Sequence, residues 1–274
     1  HAAAYKHVSL VENNVIQGVK NNTFGTLYAT QAAIECGVKR FILISTDKAV
    51  RTTSVMGATK RMSEMILQAL QDESKSTQFA MVRFGNVLGS SGSVVPLFTE
   101  QIEQGGPITV THPEVTRYFM TISEAAQLVL QAASLVHSGD IFILDMGQPI
   151  KILDLAHRMV RLKGLSVRDE TYPQGTIEIA FTGLKPGEKL HEELLVGGDV
   201  TGTVHRKIMR AEEHYPPWAD LSSALNTLEE ACGTFDYGAI KTFIEGLVKG
   251  ADLETQLEVL TPMSSKVVDI KRPD

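Results

Sequence analysis

Residues 40–60, RFILISTDKAVRTTSVMGATK, give the strongest indication of the fold, because they place a buried strand, a polar turn and a helix in direct succession. The segment RFILIST is almost continuously apolar, which is typical of a parallel strand covered by helices on both faces. Thr46, Asp47 and Lys48 stand at its carboxyl end. Ligands of open parallel sheets bind outside that end of the strands. The stretch therefore predicts a doubly wound α/β fold with a polar site after this strand.

Strand-like and helix-like segments continue to alternate along the chain. We predict helices over residues 10–37, 55–70, 96–104, 123–136, 152–162, 221–230 and 237–247, and further strands over residues 79–85, 108–111, 140–147 and 176–181. Such alternation indicates crossover connections and a mostly parallel, Rossmann-like sheet. The pattern loosens after Gly147, so we expect the later part to form a smaller lobe.

Composition excludes several classes of function. The 274 residues carry a formal net charge of -6, whereas a nucleic-acid-binding face needs clustered Lys and Arg, so we predict no nucleic-acid partner. Two cysteines, Cys36 and Cys232, are too few for a disulfide framework and indicate a reducing compartment, for which we predict the cytoplasm. The eight histidines show no metal-ligand spacing, and HEELL lacks the second His of H-E-x-x-H. We therefore predict no metal.

Five ordered segments carry a family resemblance: HAAAYKHV, ISTDKAV…VMGATK, VRFGNVLGSSGSVVPLF, VTRYFMTISEAAQLVLQA and GLKPGEKLHEEL. Together they resemble the extended short-chain dehydrogenase/reductases, and among them the polysaccharide-biosynthesis 4,6-dehydratases that act on UDP-N-acetylglucosamine. The resemblance extends from His1 to about Leu195. It implies NAD as the cofactor, a UDP-sugar as the substrate, and a role in bacterial polysaccharide or glycan biosynthesis, including capsule and O-antigen.

The resemblance also implies that part of the family's sheet lies upstream of this sequence. In the family, HAAAYKHV follows the fourth strand, and the glycine-rich G-x-G-x-x-G turn, which this chain lacks, precedes it. We therefore expect a sheet truncated at its N-terminal half. Residues 1–85, with the strand at 140–147, would form the C-terminal half of the NAD-binding domain, and residues 86–274 mainly the UDP-sugar-binding lobe. Any membrane anchor would belong to the upstream part.

Met56 and Lys60 stand where the superfamily usually has Tyr-x-x-x-Lys, in which the Lys lowers the pKa of a phenolate base one helical turn away. Methionine cannot carry a proton. The Met-x-x-x-Lys form resembles the large, membrane-anchored dehydratases that retain the configuration at C5. In that comparison Lys60 keeps its other role, which is to bind the hydroxyls of the nicotinamide ribose.

The family comparison assigns catalytic roles to the cluster after the first strand. Thr46 would hydrogen-bond O4 of the sugar, Asp47 would be the general acid at O6 and Lys48 the base at C5, although the last two roles could be exchanged. These roles require a raised pKa for Asp47 and a lowered pKa for Lys48, which desolvation by bound sugar favours. We count Thr46, Asp47, Lys48, Met56 and Lys60 as the candidate catalytic set.

Further site residues follow from the resemblance alone. The cofactor would contact Ala2, Ala3, Ala4, Asn22, Ser45, Lys60 and Phe84. The UDP-sugar would contact Lys6, Asn86, Ser91, Gly92, Ser93, Val94, Pro96, Phe98, Thr109, Arg117, Lys185 and Glu188. Within that set, Asn86 and residues 91–94 and Arg117 would hold the diphosphate, residues 95–98 would border the uracil, and Glu188 would bind the ribose hydroxyls.

Two other functions stay open at this point. A UDP-sugar epimerase of the same superfamily would need an active Tyr where Met56 stands, and a non-catalytic UDP-sugar-binding fragment would need no cofactor site. Taken in isolation, a Thr-Asp pair after a strand is more commonly a turn or helix cap than a catalytic group. We also expect a homo-oligomer, since short-chain dehydrogenases often pair through helices beside the active-site strand.

Overall fold

The computed structural model describes residues 1–74, 76–193, 200–248 and 250–253. Its α-helices are α1 (Val8–Glu12), α2 (Val15–Gly18), α3 (Gly25–Glu35), α4 (Val55–Glu73), α5 (Val94–Glu103), α6 (Ile122–Ser134), α7 (Ile152–Leu162), α8 (Trp218–Gly233) and α9 (Tyr237–Leu247). Its strands are β1 (Arg40–Ile44), β2 (Gln78–Arg83), β3 (Asn86–Val87), β4 (Ile108–Val110), β5 (Thr116–Arg117), β6 (Phe119–Met120), β7 (Asp140–Leu144), β8 (Ile150–Lys151), β9 (Val167–Arg168), β10 (Ile177–Phe181), β11 (Val200–Gly202) and β12 (Ile208–Ala211).

The main sheet has five strands in the order β1-β2-β7-β12-β11. The strands β1, β2 and β7 run parallel, with Phe41 opposite Phe79 and Val82 opposite Phe142. The strand β12 pairs antiparallel with β7, and β11 pairs antiparallel with β12. The predicted Rossmann-like α/β class is therefore confirmed, with an antiparallel pair added at one edge.

The strands β2 and β7 are almost wholly buried, which explains their apolar runs, whereas β1 at the edge of the described sheet is only partly buried. On one face Leu43, Met81 and Ile143 join the core formed with α1–α4, α8 and α9. On the other face Val82 and Phe142 pack against α6 in a second core. The sheet is thus held between helical layers, and the carboxyl ends of β1 and β2 are left at one rim.

A third core belongs to the region between α5 and β10. It is formed by Phe98 and Ile102 of α5, residues of α7, and the parallel sheet β4-β10-β9. The segment ITVT, which we predicted as a strand, is confirmed over Ile108–Val110, but it belongs to this small sheet. The cis peptide bond before Pro107 lies immediately ahead of it.

Several details differ from the sequence prediction. The single helix predicted over residues 10–37 is divided into α1, α2, a π-helical segment (Val19–Phe24) and α3. The strands β11 and β12 were not predicted. The proposed division at residue 85 stays a prediction, although residues 208–211 and helix α8 pack onto the main sheet and α4. Residues 194–195 of the quoted resemblance and residues 254–274 of the predicted lobe lie outside the described residues.

No helix in the described ranges is both long and apolar enough to cross a membrane.

A buried ion-pair network fixes α4 against the ends of β1 and β2. Arg83 of β2 donates to Glu64 of α4 through Nε at 2.8 Å and Nη2 at 2.6 Å, and both side chains are fully buried. Ser45, which follows β1, donates to the same carboxylate at 2.6 Å. Burial alone raises the pKa of Glu64, but Arg83 and Arg61 outweigh it and lower the pKa to about 2. The carboxylate is therefore held ionised and fully bonded.

Glu64→Gln tests the importance of this network. The change leaves the buried Arg83 without its main counter-charge, so we expect the free energy of unfolding at pH 7 to fall by about 3 kcal/mol. Urea unfolding followed by circular dichroism measures it. The control is Glu73→Gln at the exposed end of the same helix, which should change the free energy by less than about 0.5 kcal/mol. Equal stability of the two variants would contradict this account.

Candidate active site

Backbone pairing with β2 continues past the end of β1 and sets the position of the Thr46–Lys48 turn. The amide of Ser45 donates to Val82 O at 2.8 Å, and the amide of Asp47 donates to Phe84 O at 3.2 Å. A single 3-10 turn (Asp47–Ala49) then begins, with Thr46 Oγ1 accepting from the amide of Lys48 at 3.4 Å. The cluster therefore lies at the carboxyl end of β1, where the sequence predicts a site.

The ammonium group of Lys48 has three oxygen partners. It donates to Asp47 Oδ1 at 3.0 Å and to Asn86 Oδ1 at 3.5 Å, and it pairs with Glu192 Oε1 at 3.3 Å. Burial lowers the pKa of Lys48, but the carboxylates of Asp47 and Glu192 outweigh it and raise the pKa above its ordinary value. Lys48 is therefore a cation in this structure, because the adjacent opposite charges oppose the lowered pKa that its predicted role as a base requires.

Asp47 lies behind its two neighbours. Its side chain is about 1% exposed, and Oδ1 accepts hydrogen bonds from both Thr46 Oγ1, at 2.8 Å, and Lys48 Nζ. Thr46 and Lys48 line a cavity that Asp47 does not line. A proton can therefore pass between Asp47 and this cavity through the Thr46 hydroxyl or the Lys48 ammonium.

A cavity of about 400 Å³, here called the inner cavity, lies at the carboxyl ends of β1 and β2. It brings together most of the predicted catalytic and cofactor residues. Its lining includes Ala2, Ala4, Lys6, Ser45, Thr46, Lys48, Met56, Lys60, Phe84, Asn86, Gly92 and Ser93.

A second cavity of about 310 Å³, here called the outer cavity, lies between the turn and the third core. It collects predicted substrate residues from distant parts of the chain, namely Asn86, Gly92, Ser93, Val94, Phe98, Thr109, Arg117, Lys185 and Glu188. His7, Val8, Lys48, Asn86, Gly92 and Ser93 line both cavities. We call these six residues the shared wall, because a ligand that extends along them would occupy both cavities.

Five predicted residues line neither cavity: Ala3, Asn22, Asp47, Ser91 and Pro96. Asn22 is buried in the π-helical segment, where its amide group bonds Tyr5 N at 2.7 Å, Tyr5 O at 3.0 Å and Thr59 Oγ1 at 3.0 Å. It holds the segment before Lys6 against α4, and its amide has no direct contact with either cavity. Ser91 contributes its carbonyl oxygen to Lys6 Nζ at 2.8 Å.

Lys60 and Met56 lie one turn apart on α4 and both line the inner cavity. Lys60 is 4% exposed, and its ammonium has no hydrogen bond or ion pair with any described residue. Burial lowers its pKa to about 8, although Glu64 opposes the shift. An unpaired amine in this position is suited to binding ligand hydroxyls. Met56 offers no titratable group to the cavity.

Arg117 lies in an ion cluster beside the outer cavity. Its Nη2 donates to Glu188 Oε1 at 3.0 Å, its Nη1 donates to Thr116 O at 2.7 Å, and its Nε lies 3.7 Å from Glu192 Oε1. Thr111 Oγ1 donates to the same Glu188 oxygen at 3.0 Å. Arg117 and Glu188 therefore act as one unit in this structure.

The sequence-based reasoning missed two residues of the site. Glu192 contacts Lys48 and is buried, and His7 belongs to the shared wall. Both stand inside the quoted motifs HAAAYKHV and GLKPGEKLHEEL, but neither residue was assigned a role there. Two consecutive glutamates, Glu192 and Glu193, gave no signal as to which one faces inward. The structure separates them, since Glu193 pairs with the exposed Arg51.

Comparison with known proteins identifies the family of this chain. The model of the family described as "Polysaccharide biosynthesis protein" matches residues 1–213. The chain is 53% identical over 217 residues to the capsular polysaccharide biosynthesis protein CapD of Staphylococcus aureus, covering 78% of this chain and 35% of CapD. It is 35% identical over 202 residues to a UDP-N-acetylglucosamine 4,6-dehydratase (inverting) of Campylobacter jejuni, covering 73% of this chain and 56% of that protein.

The matched part is therefore only about a third of the length of CapD. A UDP-glucose 4-epimerase of Rickettsia rickettsii is 34% identical over 197 residues, covering 71% of this chain and 54% of the epimerase.

Solved structures share the fold. The structure of Pen from Bacillus thuringiensis is 34% identical with a TM-score of 0.69, covering 78% of this chain and 66% of Pen. The structure of DesIV, a dTDP-glucose 4,6-dehydratase from Streptomyces venezuelae with NAD and TYD bound, has a TM-score of 0.60 at 20% identity, covering 70% of this chain and 62% of that one.

The lowered pKa of Lys60 predicts a pH-dependent stability. Below pH 8 the buried ammonium destabilises the folded state. Between pH 8 and 10.5 the folded state has lost this proton while the unfolded chain keeps it, so stability rises with pH across this window. Lys60→Met should therefore exceed the wild type in stability by about 3 kcal/mol at pH 7, and the difference should vanish near pH 10.5.

Urea unfolding at pH 7 and pH 10.5 measures the difference. Lys39→Met, at an exposed position, is the matched control and should show a difference that does not depend on pH. If the free energies of unfolding of Lys60→Met and wild type differ by the same amount at both pH values, Lys60 is not a buried cation.

Proposed function

Because this chain belongs to the polysaccharide biosynthesis protein family, we propose that it carries the catalytic and UDP-sugar-binding part of a UDP-N-acetylglucosamine 4,6-dehydratase. Its relatives are nucleotide-sugar dehydratases and epimerases of the short-chain dehydrogenase/reductase type. One observation carries the proposal: Thr46, Asp47 and Lys48 form one hydrogen-bonded cluster at the inner cavity, where Met56 supplies no acid or base. The cluster offers the acid-base groups that a dehydration needs and the helix lacks.

The inner cavity fits the nicotinamide half of NAD. Ala2 and Ala4 present only methyl groups there, which allows a flat ring to approach the backbone, and the unpaired ammonium of Lys60 is suited to the ribose hydroxyls. NAD, when bound, takes a hydride from C4 of the sugar and returns it to C6. The residues that would hold its nicotinamide ribose are Lys60 and Ser45, although the hydroxyl of Ser45 currently donates to Glu64.

Oxidation at C4 requires the O4 proton to leave. We assign its acceptor to Asp47, reached through the Thr46 hydroxyl, because Thr46 lines the cavity and already donates to Asp47 Oδ1 at 2.8 Å. Thr46 takes the proton from O4 as it gives its own to Asp47. The carboxyl of Asp47 is then protonated, which is the form that a general acid needs.

Elimination across C5 and C6 uses the same cluster. The ketone at C4 acidifies the C5 proton, which passes to Lys48 in its neutral form, while Asp47 returns its proton through Thr46 to O6 and water leaves. Lys48 then gives a proton back to C5 when C6 receives the hydride. The sugar loses one water in total, and Thr46, Asp47 and Lys48 end in their starting protonation states.

The outer cavity is the proposed site of the UDP moiety. The Lys6 ammonium fixes the loop before α5 by donating to Ser91 O. In that loop, Gly92 and Ser93 line both cavities. The guanidinium of Arg117 donates its hydrogen bonds to Glu188 and to main-chain carbonyls. In the proposed complex it therefore contributes positive charge near the diphosphate and keeps Glu188 in position for the ribose. Thr109, held by Gln101 at 2.7 Å, borders the same space.

Finer features of the proposal come from the resemblance. These are the preference for N-acetylglucosamine, retention at C5, a cytoplasmic location with any membrane anchor outside these residues, and a homo-oligomer. The whole protein's part in making capsule or O-antigen belongs with them. Both cysteines are unpaired, which agrees with a reducing compartment.

Product analysis separates the proposed dehydratase from its two rivals. The complete gene product is incubated with NAD+ and UDP-N-acetylglucosamine and followed by proton NMR. A dehydratase gives a C6 methyl signal, a 4-epimerase gives the inverted C4 centre with C6 unchanged, and a binding protein gives neither. The absence of a methyl signal from well-folded protein would refute the proposed activity.

Asp47→Asn tests the acid-base cluster. The amide cannot take the O4 proton or return it to O6, so we expect methyl formation to fall by at least about 100-fold while the Kd of UDP changes less than about threefold. Asp220→Asn, at an exposed position of α8, is the control and should keep full activity. Turnover by Asp47→Asn at the wild-type rate would remove Asp47 from the mechanism.

Gly92→Ala tests the loop at the shared wall. Gly92 has φ +67°, and an added Cβ would overlap the His7 ring, so the loop must shift and UDP affinity should fall by about tenfold or more. Gly89→Ala carries the same kind of backbone strain at φ +74° but meets no atom within 4 Å. Isothermal titration with UDP should find normal affinity in Gly89→Ala only. Equal affinities would place the UDP away from this loop.

A further inference from the structure

The proposed mechanism requires Lys48 to be neutral before it takes the C5 proton, whereas the structure holds it as a cation. Its ammonium must therefore pass a proton to a neighbour. Asp47 is excluded as the acceptor because, in the proposed function on which this inference rests, it receives the O4 proton. The amide oxygen of Asn86 is not basic enough to take a proton. Glu192 is the remaining contact of Lys48 within the described residues.

The position of Glu192 suits this role. Its Oε1 lies 3.3 Å from Lys48 Nζ, and the side chain is only about 3% exposed, so bulk water does not compete for the proton. Its second oxygen, Oε2, is buried and has no hydrogen-bond partner among the described residues. The carboxylate is thus less fully bonded than that of Glu64, whose oxygens are all used. Glu192 therefore has unused acceptor capacity beside Lys48.

We propose that Glu192 is a positioning residue that stores the proton of Lys48 during the reaction. Lys48 passes one proton to Glu192 Oε1 and becomes a neutral amine, which then takes the C5 proton. After the hydride reaches C6, Lys48 returns a proton to C5 and Glu192 returns the stored proton to Lys48. No proton is exchanged with solvent, and the charges of both residues are restored.

Other charged groups also face Lys48. Asp47 lies on the same turn, and Arg117 lies across the site, with its Nε 3.7 Å from the Glu192 oxygen that Lys48 contacts. The groups that line the adjoining cavities with Lys48 are Lys6, His7, Lys60, Lys185, Glu188 and Lys189. Arg117 opposes the charged form of Lys48, whereas the carboxylates of Asp47 and Glu192 stabilise it and prevail.

The test uses Glu192→Gln, which keeps the shape of the side chain and removes its ability to hold a proton, in the complete gene product. The first readout needs no turnover. NMR of the lysine side chains, with Lys48 assigned from its missing signal in Lys48→Met, gives its titration. Loss of the Glu192 charge should lower the pKa of Lys48 by about one unit or more.

The second readout is the pH profile of methyl formation. Without its internal acceptor, Lys48 must lose its proton to solvent, so kcat of Glu192→Gln should fall by about 100-fold at pH 7 and then rise about tenfold per pH unit. The wild type should stay level over the same range, and KM should change little. Glu192→Asp, which keeps a carboxylate, should recover part of the rate. Glu193→Gln, the same change at the adjacent, partly exposed residue, should match the wild type.

The outcomes separate the two proposals. A wild type that forms no methyl product refutes the dehydratase activity, whatever the variants do. A working wild type with an unshifted Lys48 titration, or with Glu192→Gln within about threefold of its kcat at pH 7, overturns the role of Glu192. A lower kcat whose dependence on pH matches the wild type overturns it as well, because that result indicates only a structural contribution.

Discussion

The bidentate contact between Arg83 and Glu64 is the interaction on which the site depends. It joins β2 to α4, and through Ser45 it also reaches the end of β1. The Thr46–Lys48 turn follows β1, Asn86 follows β2, and Lys60 lies on α4. Charges buried in a protein interior are tolerated only when they are paired and well bonded, so the geometry of this network leaves little freedom for the helix to shift along the strands. The distance between the Thr46–Lys48 turn and Lys60 is fixed as a result.

The sequence predicted the parts of the fold that follow from hydrophobic periodicity. The run DIFIL is buried at every position, as an unbroken apolar run predicts for a parallel strand covered on both faces. The run RFILI is only partly buried, because β1 lies at the edge of the described sheet. The edge strand β11 and its neighbour β12 are three and four residues long, and VTG and IMRA lack the unbroken run of β-branched residues that indicated ITVT. The π-helical segment was equally invisible, because its apolar residues keep an apparently helical spacing. Contacts with distant parts of the chain, and not the conformational preferences of the local sequence, determine these elements.

The candidate site was predicted in its composition but not in its internal contacts. The family resemblance identified Thr46, Asp47, Lys48 and Arg117, and the fold brings them to neighbouring cavities. No sequence pattern could indicate that Asp47 lies behind Thr46, or that Glu192, 144 positions from Lys48, completes its surroundings. The position of Asp47 depends on the pairing of its backbone with β2, and that of Glu192 on how the loop after β10 folds back over the turn. The adjacent Asp47 raises the pKa of Lys48, and Glu192 adds to this effect in a way that the sequence could not indicate.

The shared wall has a consequence for chemical probes of this protein. Six residues border both cavities, so the two spaces meet along a common partition with no intervening layer. With NAD and UDP in the two cavities as proposed, a bisubstrate inhibitor that joins a nicotinamide-like ring to a uridine group would need only a short, stiff linker to cross this partition. Rigid linkage lowers the entropy lost on binding, so such a compound would bind far more tightly than either fragment alone. Selectivity would then come from the side chain of Met56, because an enzyme with tyrosine there presents a hydroxyl to the same ring.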